Sequence, residues 1–150
     1  MSGSNRSTHP ARWVLALLLV ALSASCTLKL VADYDEQIDL AATELQKGMD
    51  AHLTKLLSVP QAQRTFAASE SFYLDYAVGL RSVKIRADGQ PKNRASVGQY
   101  DAMLSSLETM RMLHRSQGNL GDGFLNTARD EFNLAWRAII ELEQAKKRGS

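Results

Sequence analysis

The sequence predicts an all-α protein, an up-down-up-down four-helix bundle that follows an N-terminal signal peptide. Three observations support this prediction. After residue 26, apolar residues recur every three or four positions in four separate segments. The segments are joined by short connections that contain Pro, Gly, Asn or Asp. No stretch after residue 26 alternates between apolar and polar residues for long enough to predict a half-buried strand.

The N-terminal region contains an apolar run at residues 13–22, which follows a basic, polar lead. A membrane-spanning helix needs about 20 apolar residues, and this run has half that length. A short apolar run with a basic lead is typical of a secretory signal peptide. Small residues follow at 23–25, and then comes Cys26, the only cysteine of the chain. We therefore expect residues 1–25 to be a signal peptide and residues 26–150 to form the helical domain.

The first predicted helix runs from about residue 28 to residue 57. Its apolar residues form one stripe, which consists of Val31, Tyr34, Ile38, Ala42, Leu45, Met49, Leu53 and Leu56. Four acidic residues between positions 33 and 39 lie off this stripe, near the N-terminal end of the helix. There they complement the helix dipole.

The second predicted helix runs from about residue 61 to residue 87, after a break at Pro60 and with Ser58 as the expected cap. Its stripe consists of Phe66, Ser69, Tyr73, Tyr76, Leu80 and Val83. The following segment, ADGQPKN at residues 87–93, has the composition of a loop.

The third and fourth predicted helices run from about residue 95 to residue 115 and from about residue 123 to residue 147. Ser96 and Asp122 are their expected N-caps. The third stripe consists of Val97, Tyr100, Leu104, Leu107, Met110 or Arg111, and His114. The fourth stripe consists of Leu125, Ala128, Phe132, Ala135, Trp136, Ile139 and Leu142. Because the connections are short, successive helices are expected to be antiparallel neighbours in a bundle.

The charge and cysteine content exclude several classes of protein. The chain has 18 Lys and Arg residues against 16 Asp and Glu residues, and two of the arginines, Arg6 and Arg12, lie in the expected signal peptide. The remaining 18 − 2 = 16 basic residues equal the 16 acidic ones. This balance gives no electrostatic basis for nucleic-acid binding. A single cysteine rules out an internal disulfide and a cysteine-rich zinc site.

The sequence LSASC at residues 22–26 resembles the lipobox of bacterial lipoprotein precursors, which is a Leu-like residue, two small residues and Cys. It departs from that pattern because Ser23 stands where Leu or Val is commoner, with Leu22 one position early. The resemblance implies cleavage before Cys26, a diacylglycerol on its sulfur and an acyl chain such as palmitate on the new amine. Thr27 replaces the Asp that favours inner-membrane retention, which implies an outer-membrane lipoprotein that faces the periplasm.

A second resemblance concerns the sequence YDEQIDLAATELQ at residues 34–46. This stretch is similar to a segment of small proteobacterial lipoproteins of no assigned activity, which begin with Cys-Thr. The matching residues are Tyr34, Asp35, Glu36, Gln37, Ile38, Asp39, Leu45 and Gln46. The resemblance covers about a tenth of the chain and implies a small envelope lipoprotein, without implying a reaction.

The residues that bear on catalysis or cofactor binding are few. Met49, His52, His114 and Trp136 are of the types that hold haem or a metal in some periplasmic bundles, but core packing is the expected role of all four. The chain has no Glu-x-x-His motif of a di-iron bundle. It also has no phosphate-binding glycine loop and no HExxH motif. We therefore expect neither catalysis nor a cofactor.

A basic segment lies at the expected end of the second helix and in the following loop. It consists of Arg81, Lys84, Arg86, Lys92 and Arg94, with Asp88 as the only acidic residue among them. These residues are candidates for contact with an anionic envelope polymer or with lipid headgroups. The alternative interpretation is a helix end that complements the dipole, followed by a polar loop.

These observations predict a non-enzymatic helical module that lipidated Cys26 holds at the membrane. Its acyl chains contact the membrane, and its exposed surface recruits another envelope protein or an anionic polymer. Two alternatives remain open at this point. One is a periplasmic bundle that binds haem or a metal, and the other is a single-pass protein with residues 13–32 in the bilayer.

Overall fold

The computed structural model describes residues 32–149. These residues form four long helices: α1 at Glu36–Leu57, α2 at Phe66–Asp88, α3 at Arg94–Gln117 and α4 at Asp122–Arg148. A single turn of 3₁₀ helix at Gln61–Gln63 lies between α1 and α2. The expected signal peptide and Cys26 lie outside the described residues.

The helices pack around one core as an up-down-up-down bundle, which confirms the predicted fold class. The neighbouring pairs are α1–α2, α2–α3, α3–α4 and α4–α1, and the most extensive contacts are those of α1 with α4 and of α2 with α3. Ion pairs show the antiparallel order. Asp35 before α1 meets Arg86 near the end of α2, and Lys84 near the end of α2 meets Asp101 near the start of α3.

The predicted stripes form the core. In α1, the buried residues are Ile38, Ala42, Met49, Leu53 and Leu56. In α4, the apolar buried residues are Leu125, Ala128, Phe132, Trp136 and Ile139. Burial of side chains of this size is the main source of stability in a domain of this length.

The helix caps differ from three of the expectations. Ser58 follows the end of α1 and does not begin α2, because the 3₁₀ turn intervenes and Thr65 caps α2 through the amide of Ala68. Gly121, and not Asp122, occupies the N-cap position of α4. The helix α3 begins at Arg94 without a side-chain cap.

Ser96 is the third difference, because it lies inside α3 and is fully buried. Its hydroxyl takes part in a hydrogen-bond network with α4 that is described below. Ser96 therefore does not cap α3. It makes a contact between distant parts of the chain, which the local sequence does not reveal.

The connections at one end of the bundle are joined by a buried arginine. The Arg64 side chain donates from Nε to the carbonyl of Val59 (2.9 Å) and from Nη1 to the carbonyl of Leu120 (3.1 Å), and it also pairs with Asp122. Gly118 follows the last residue of α3 with a φ of 78°, which favours glycine, and the chain turns sharply there into this region. Arg64 thus connects the α1–α2 loop to the start of α4.

Candidate functional site

A large concave surface, a groove, lies between α1 and α2. Its volume is about 670 Å³. Its apolar lining comes from both helices and includes Leu45, Phe72, Tyr76 and Val83. Clefts of this size and composition are the usual binding sites of apolar ligands. We refer to this feature as the α1–α2 groove.

Two glycines in the middle of the helices shape the α1–α2 groove. A Cβ atom at Gly79 would lie 2.8 Å from Cδ2 of Leu45, so the two helices approach closely where Leu45 covers this glycine. At Gly48, a Cβ atom would meet only the ring of Tyr76, at 4.0 Å, and would otherwise occupy groove space. The sequence prediction missed both glycines.

A signal for these glycines was present in the sequence. A glycine inside a helix costs about 1 kcal/mol relative to alanine, so an interior glycine often marks a close approach or a ligand-facing surface. The sequence predicted that α1 and α2 are neighbours, but it did not show which residues of the two helices lie opposite each other. For that reason, Gly48 and Gly79 were not recognised as parts of one groove.

The polar groups of the α1–α2 groove lie mainly on its rim. They are contributed by Gln37, Glu44, Asp75, Ser82 and Arg86. Glu44 is paired with Lys47 on the same helix, at 2.9 Å. The rim is therefore mixed in charge, and the groove floor is apolar.

The buried hydroxyl of Tyr76 already has its hydrogen-bond partners. It donates to the carbonyl of Leu45 (3.0 Å) and accepts from the indole Nε1–H of Trp136 (2.9 Å). Burial raises the pKa of Tyr76, and the hydrogen bond from Trp136 opposes that rise. The phenol is thus a neutral structural group at the base of the groove, and it joins α2 to both α1 and α4.

A polar cluster at the start of α1 lies beside one end of the α1–α2 groove. The carboxylate of Asp35 accepts hydrogen bonds from Arg86 (2.8 Å), from Gln90 (2.9 Å) and from the backbone amide of Gln37 (2.9 Å). Burial raises the pKa of Asp35, but these hydrogen bonds and the charge of Arg86 lower it below its usual value overall. Asp35 therefore fixes the point at which the chain enters the bundle.

His52 and His114 both lie next to the ring of Tyr73, at the end of the bundle opposite to the start of α1. The ring of His114 is fully buried, and its Nε2–H donates to the carbonyl of Arg64 (2.8 Å). Its Nδ1 therefore accepts from the hydroxyl of Tyr73 (2.8 Å). Burial lowers the pKa of His114, and the bond to the Arg64 carbonyl opposes that effect. Both ring nitrogens of this histidine are occupied by protein groups.

His52 has a different environment. Its ring stacks on Phe72 with 3.6 Å between centroids and meets Tyr73 edge-on. Burial, with smaller contributions from the nearby charges of His114 and Lys55, lowers the pKa of His52 to about 4. Both histidines are accordingly neutral near pH 7.

The candidate haem or metal residues Met49, His52, His114 and Trp136 are thus found in packing roles. Met49 is buried in the core, and the Trp136 nitrogen donates to Tyr76. In residues 32–149, no three histidine, aspartate or glutamate side chains converge in a way that would hold a metal ion. These contacts do not favour the haem or metal alternative.

A buried ion pair near the end of α4 was not predicted. Lys146 Nζ donates to Glu143 Oε1 (2.6 Å), to Ser96 Oγ (2.8 Å) and to Asn93 Oδ1 (2.7 Å). The side chains of Lys146 and Glu143 are 1% and 0% exposed. Since a buried charge needs compensation, this network fixes the position of α4 against the start of α3.

The basic segment is divided by the fold. Lys84 pairs with Asp101 (2.7 Å), and Arg86 pairs with Asp35 (2.8 Å). Lys92 lies in the α2–α3 connection, where its φ is 64°, and Arg94 is the first residue of α3. Arg81 is exposed on α2. Two of the five candidate residues are therefore paired with acidic side chains at the surface of the bundle, which reduces the charge available to an anionic partner.

Cys26, the candidate lipid-attachment residue, lies outside the described residues, as does most of the apolar segment 13–32. From Ala32 onward, no helix of the described chain has both the length and the apolar character that crossing a membrane requires. Comparison of the chain with family models, with curated proteins and with solved structures gives no match.

Proposed function

We propose that this protein is an outer-membrane lipoprotein whose helical bundle acts as a non-enzymatic binding module on the periplasmic side. The observation that carries the binding role is the α1–α2 groove, an apolar cleft open to solvent beside a closed core. The observation that carries the location is the lipobox-like sequence at residues 22–26, which ends at the only cysteine.

Tethering gives such a module a physical advantage. Cys26 lies nine residues before Asp35, and nine extended residues span at most about 30 Å. Acyl chains on Cys26 would hold the bundle within that distance of one leaflet, and more than one chain is needed for stable anchoring. The local concentration of the groove at the membrane surface rises, so a partner with weak affinity is still bound.

The arrangement of the buried polar groups supports a binding role over a catalytic one. His114 uses both ring nitrogens in hydrogen bonds, and the Tyr76 hydroxyl is bonded on both sides. The groove itself is lined by apolar side chains and glycines, with charged groups at the rim. Such a surface binds by shape and apolar contact, and it recruits an envelope protein or another apolar ligand. Contact of the basic segment, which consists of Arg81, Lys84, Arg86, Lys92 and Arg94, with an anionic polymer or headgroup remains a secondary proposal.

Replacing Cys26 tests the location. We expect Cys26→Ser to abolish incorporation of a labelled fatty acid, since the sulfur that accepts the diacylglycerol is gone. The protein should leave the membrane fraction or accumulate as an uncleaved precursor. A matched control combines Cys26→Ser with Leu134→Cys, which restores a thiol on the exposed side of α4 and should not restore labelling.

Intact mass distinguishes the remaining results. A wild-type protein that begins at Cys26 and carries acyl chains supports the lipoprotein. A wild-type protein that keeps Met1, carries no acyl chain and stays in the membrane would instead establish the single-pass alternative. A Cys26→Ser protein that is processed normally and remains membrane-bound would refute anchoring through this residue.

A further inference from the structure

The chemistry of the α1–α2 groove indicates what kind of ligand it accepts. Sites for polar ligands present several converging hydrogen-bonding groups. In the described chain, none of the buried polar atoms that lack a partner belongs to a groove residue. The one buried hydroxyl at the groove floor, that of Tyr76, is bonded to Leu45 and Trp136. The groove thus favours a ligand that makes no hydrogen bonds along its length, such as a hydrocarbon chain.

The shape of the α1–α2 groove leads to the same class of ligand. On α1, its lining extends from Gln37 to Gly48, which corresponds to about 16 Å along the helix axis. Gly48 leaves the floor without a side chain at one point, Gly79 is covered by Leu45, and the rings of Phe72 and Tyr76 provide flat apolar surfaces. An elongated apolar groove of this kind matches an extended, unbranched acyl chain.

The position of the groove identifies the source of that chain. Gln37 lies in the first turn of α1, and Arg86 at the same end is bonded to Asp35, the N-cap of α1. The groove therefore opens where the polypeptide enters the bundle. Cys26 is nine residues upstream of Asp35, and nine extended residues span at most about 30 Å, which is long enough to reach from Cys26 to the groove end. A ligand attached to Cys26 has a high effective concentration at the groove.

We propose that the α1–α2 groove binds an acyl chain carried by Cys26 of the same molecule. This inference rests on the proposed lipidation of Cys26. The groove holds one acyl chain and shields it from water when the domain is outside the bilayer, and groove and bilayer compete for that chain when the domain is tethered. The binding is non-covalent and involves hydrocarbon contact alone.

Competition with an added fatty acid tests the proposal. The full-length chain with Cys26→Ser carries no acyl chain of its own, so its groove is available to a fluorescent conjugated polyene fatty acid in aqueous buffer. We expect saturable binding of one probe molecule per chain and a rise in fluorescence, because the probe enters an apolar environment. Lipidated wild-type protein, freed of detergent, should bind about ten-fold less tightly, since its own chain must first be displaced.

A pair of identical substitutions locates the probe. Gly48→Leu places a side chain in the α1–α2 groove, where its Cβ meets only the Tyr76 ring at 4.0 Å. Gly98→Leu makes the same exchange within α3, at a position with no neighbouring atom within 4 Å of the new Cβ. In the Cys26→Ser background, we expect Gly48→Leu to weaken probe binding about ten-fold or more and Gly98→Leu to leave it unchanged.

Ser82→Leu, which fills the groove from α2, is a second variant for the case that Gly48→Leu disturbs the fold. Circular dichroism and thermal unfolding establish that each variant is folded before binding is measured. Absence of saturable binding to Cys26→Ser would overturn the proposal. Equal binding by folded groove variants and Gly98→Leu would also overturn it, because the probe would then occupy another site.

The intact mass of the wild-type protein separates the two proposals. If Cys26 carries acyl chains and the wild type still binds the probe as well as Cys26→Ser does, the groove does not hold the chain of Cys26 and the inference is wrong. If Cys26 carries no acyl chain, the protein is not a lipoprotein and the proposed function is wrong. An acyl chain on Cys26 is then also excluded as the occupant of the groove. Reduced binding by an acylated wild type, with loss of binding in the groove variants, supports both.

Discussion

The helices α2 and α4 have similar lengths, but they distribute their apolar residues differently. In α4, large apolar side chains lie almost entirely on the buried face, and Leu134 is its one large hydrophobic residue classed as exposed. In α2, buried Tyr73 and Leu80 coexist with Leu74, Val78 and Ile85 on the outside, which are 55%, 62% and 73% exposed. A helix that is apolar on several sides is expected where more than one surface contacts it.

This difference between α2 and α4 shows which apolar side chains are buried in the core and which remain accessible. Burial in the core accounts for nearly all of the apolar character of α4, which makes it a structural element. The helix α2 contributes to the core and also contributes Phe72 and Val83 to the α1–α2 groove. The surface available for binding is therefore concentrated on the α2 side of the bundle.

The largest expected effect comes from the buried face of α4. Trp136 is fully buried, and its nitrogen bonds to Tyr76, so Trp136→Ala should lower the free energy of unfolding by about 3–5 kcal/mol. Leu134→Ala, on the exposed side of the same helix, should change it by less than about 0.5 kcal/mol. Urea unfolding measures both variants. Similar values for the two would show that α4 does not divide into a structural and a solvent-facing side.

A change of pH should have an intermediate effect on the free energy of unfolding, through the two histidines at the end of the bundle where α2 begins. Folding holds the pKa of His52 at about 4, below its ordinary value of 6.5, and burial also lowers that of His114. Between pH 6.5 and pH 4, the unfolded chain therefore binds more protons than the folded one. The contribution of the neutral histidines to the free energy of unfolding is fully present above about pH 6.5, and it is lost as the pH decreases through this window.

The contribution of His52 should be a loss of about 1–2 kcal/mol on going from pH 7 to pH 5. His52→Gln removes the titrating group and should reduce the pH dependence of urea unfolding in this range, whatever its effect at pH 7. Trp136→Ala, which removes no titrating group, should retain the full dependence. An unchanged pH slope in His52→Gln would contradict the assignment of a neutral, buried imidazole.

The smallest effect is expected from the outer face of α2. Val78 and Ile85 make little use of their apolar surface in the fold, so Val78→Ser and Ile85→Ser should each alter the free energy of unfolding by less than about 0.5 kcal/mol. Thermal unfolding of the full chain measures this. A loss of 2 kcal/mol or more would mean that the outer face of α2 is covered by part of the chain and is not a free surface.

The sequence predicted the number, type and approximate extent of the helices because their stripes are regular. Residues such as Ile38, Met49 and Phe132 follow the helical period, and all of them are buried. Periodicity identifies a buried face but does not identify its neighbours. The pairing of α1 with α4, and with it the hydrogen bonds from Arg129 and Asn133 to Asp50, required the tertiary structure.

The polar interior was less predictable for the same reason. Ser96 was predicted to be an N-cap, and no role was predicted for Lys146. Their burial depends on Glu143 and Asn93, which are separated from them in sequence by up to 53 positions. The α1–α2 groove was missed because two ordinary helical glycines, Gly48 and Gly79, acquire meaning only when their helices are placed side by side.

The pairing of α1 with α4 also determines the stage of translation at which all four helices can pack together. Contacts such as Gln46 with Asn133 and Asp39 with Gln144 join the first helix to the last, across 87 and 105 positions of the chain. While a ribosome is still making α4, α1 can pack against α2 but lacks its more extensive contact surface, which α4 provides. The bundle therefore completes its fold only after its last helix has been synthesised.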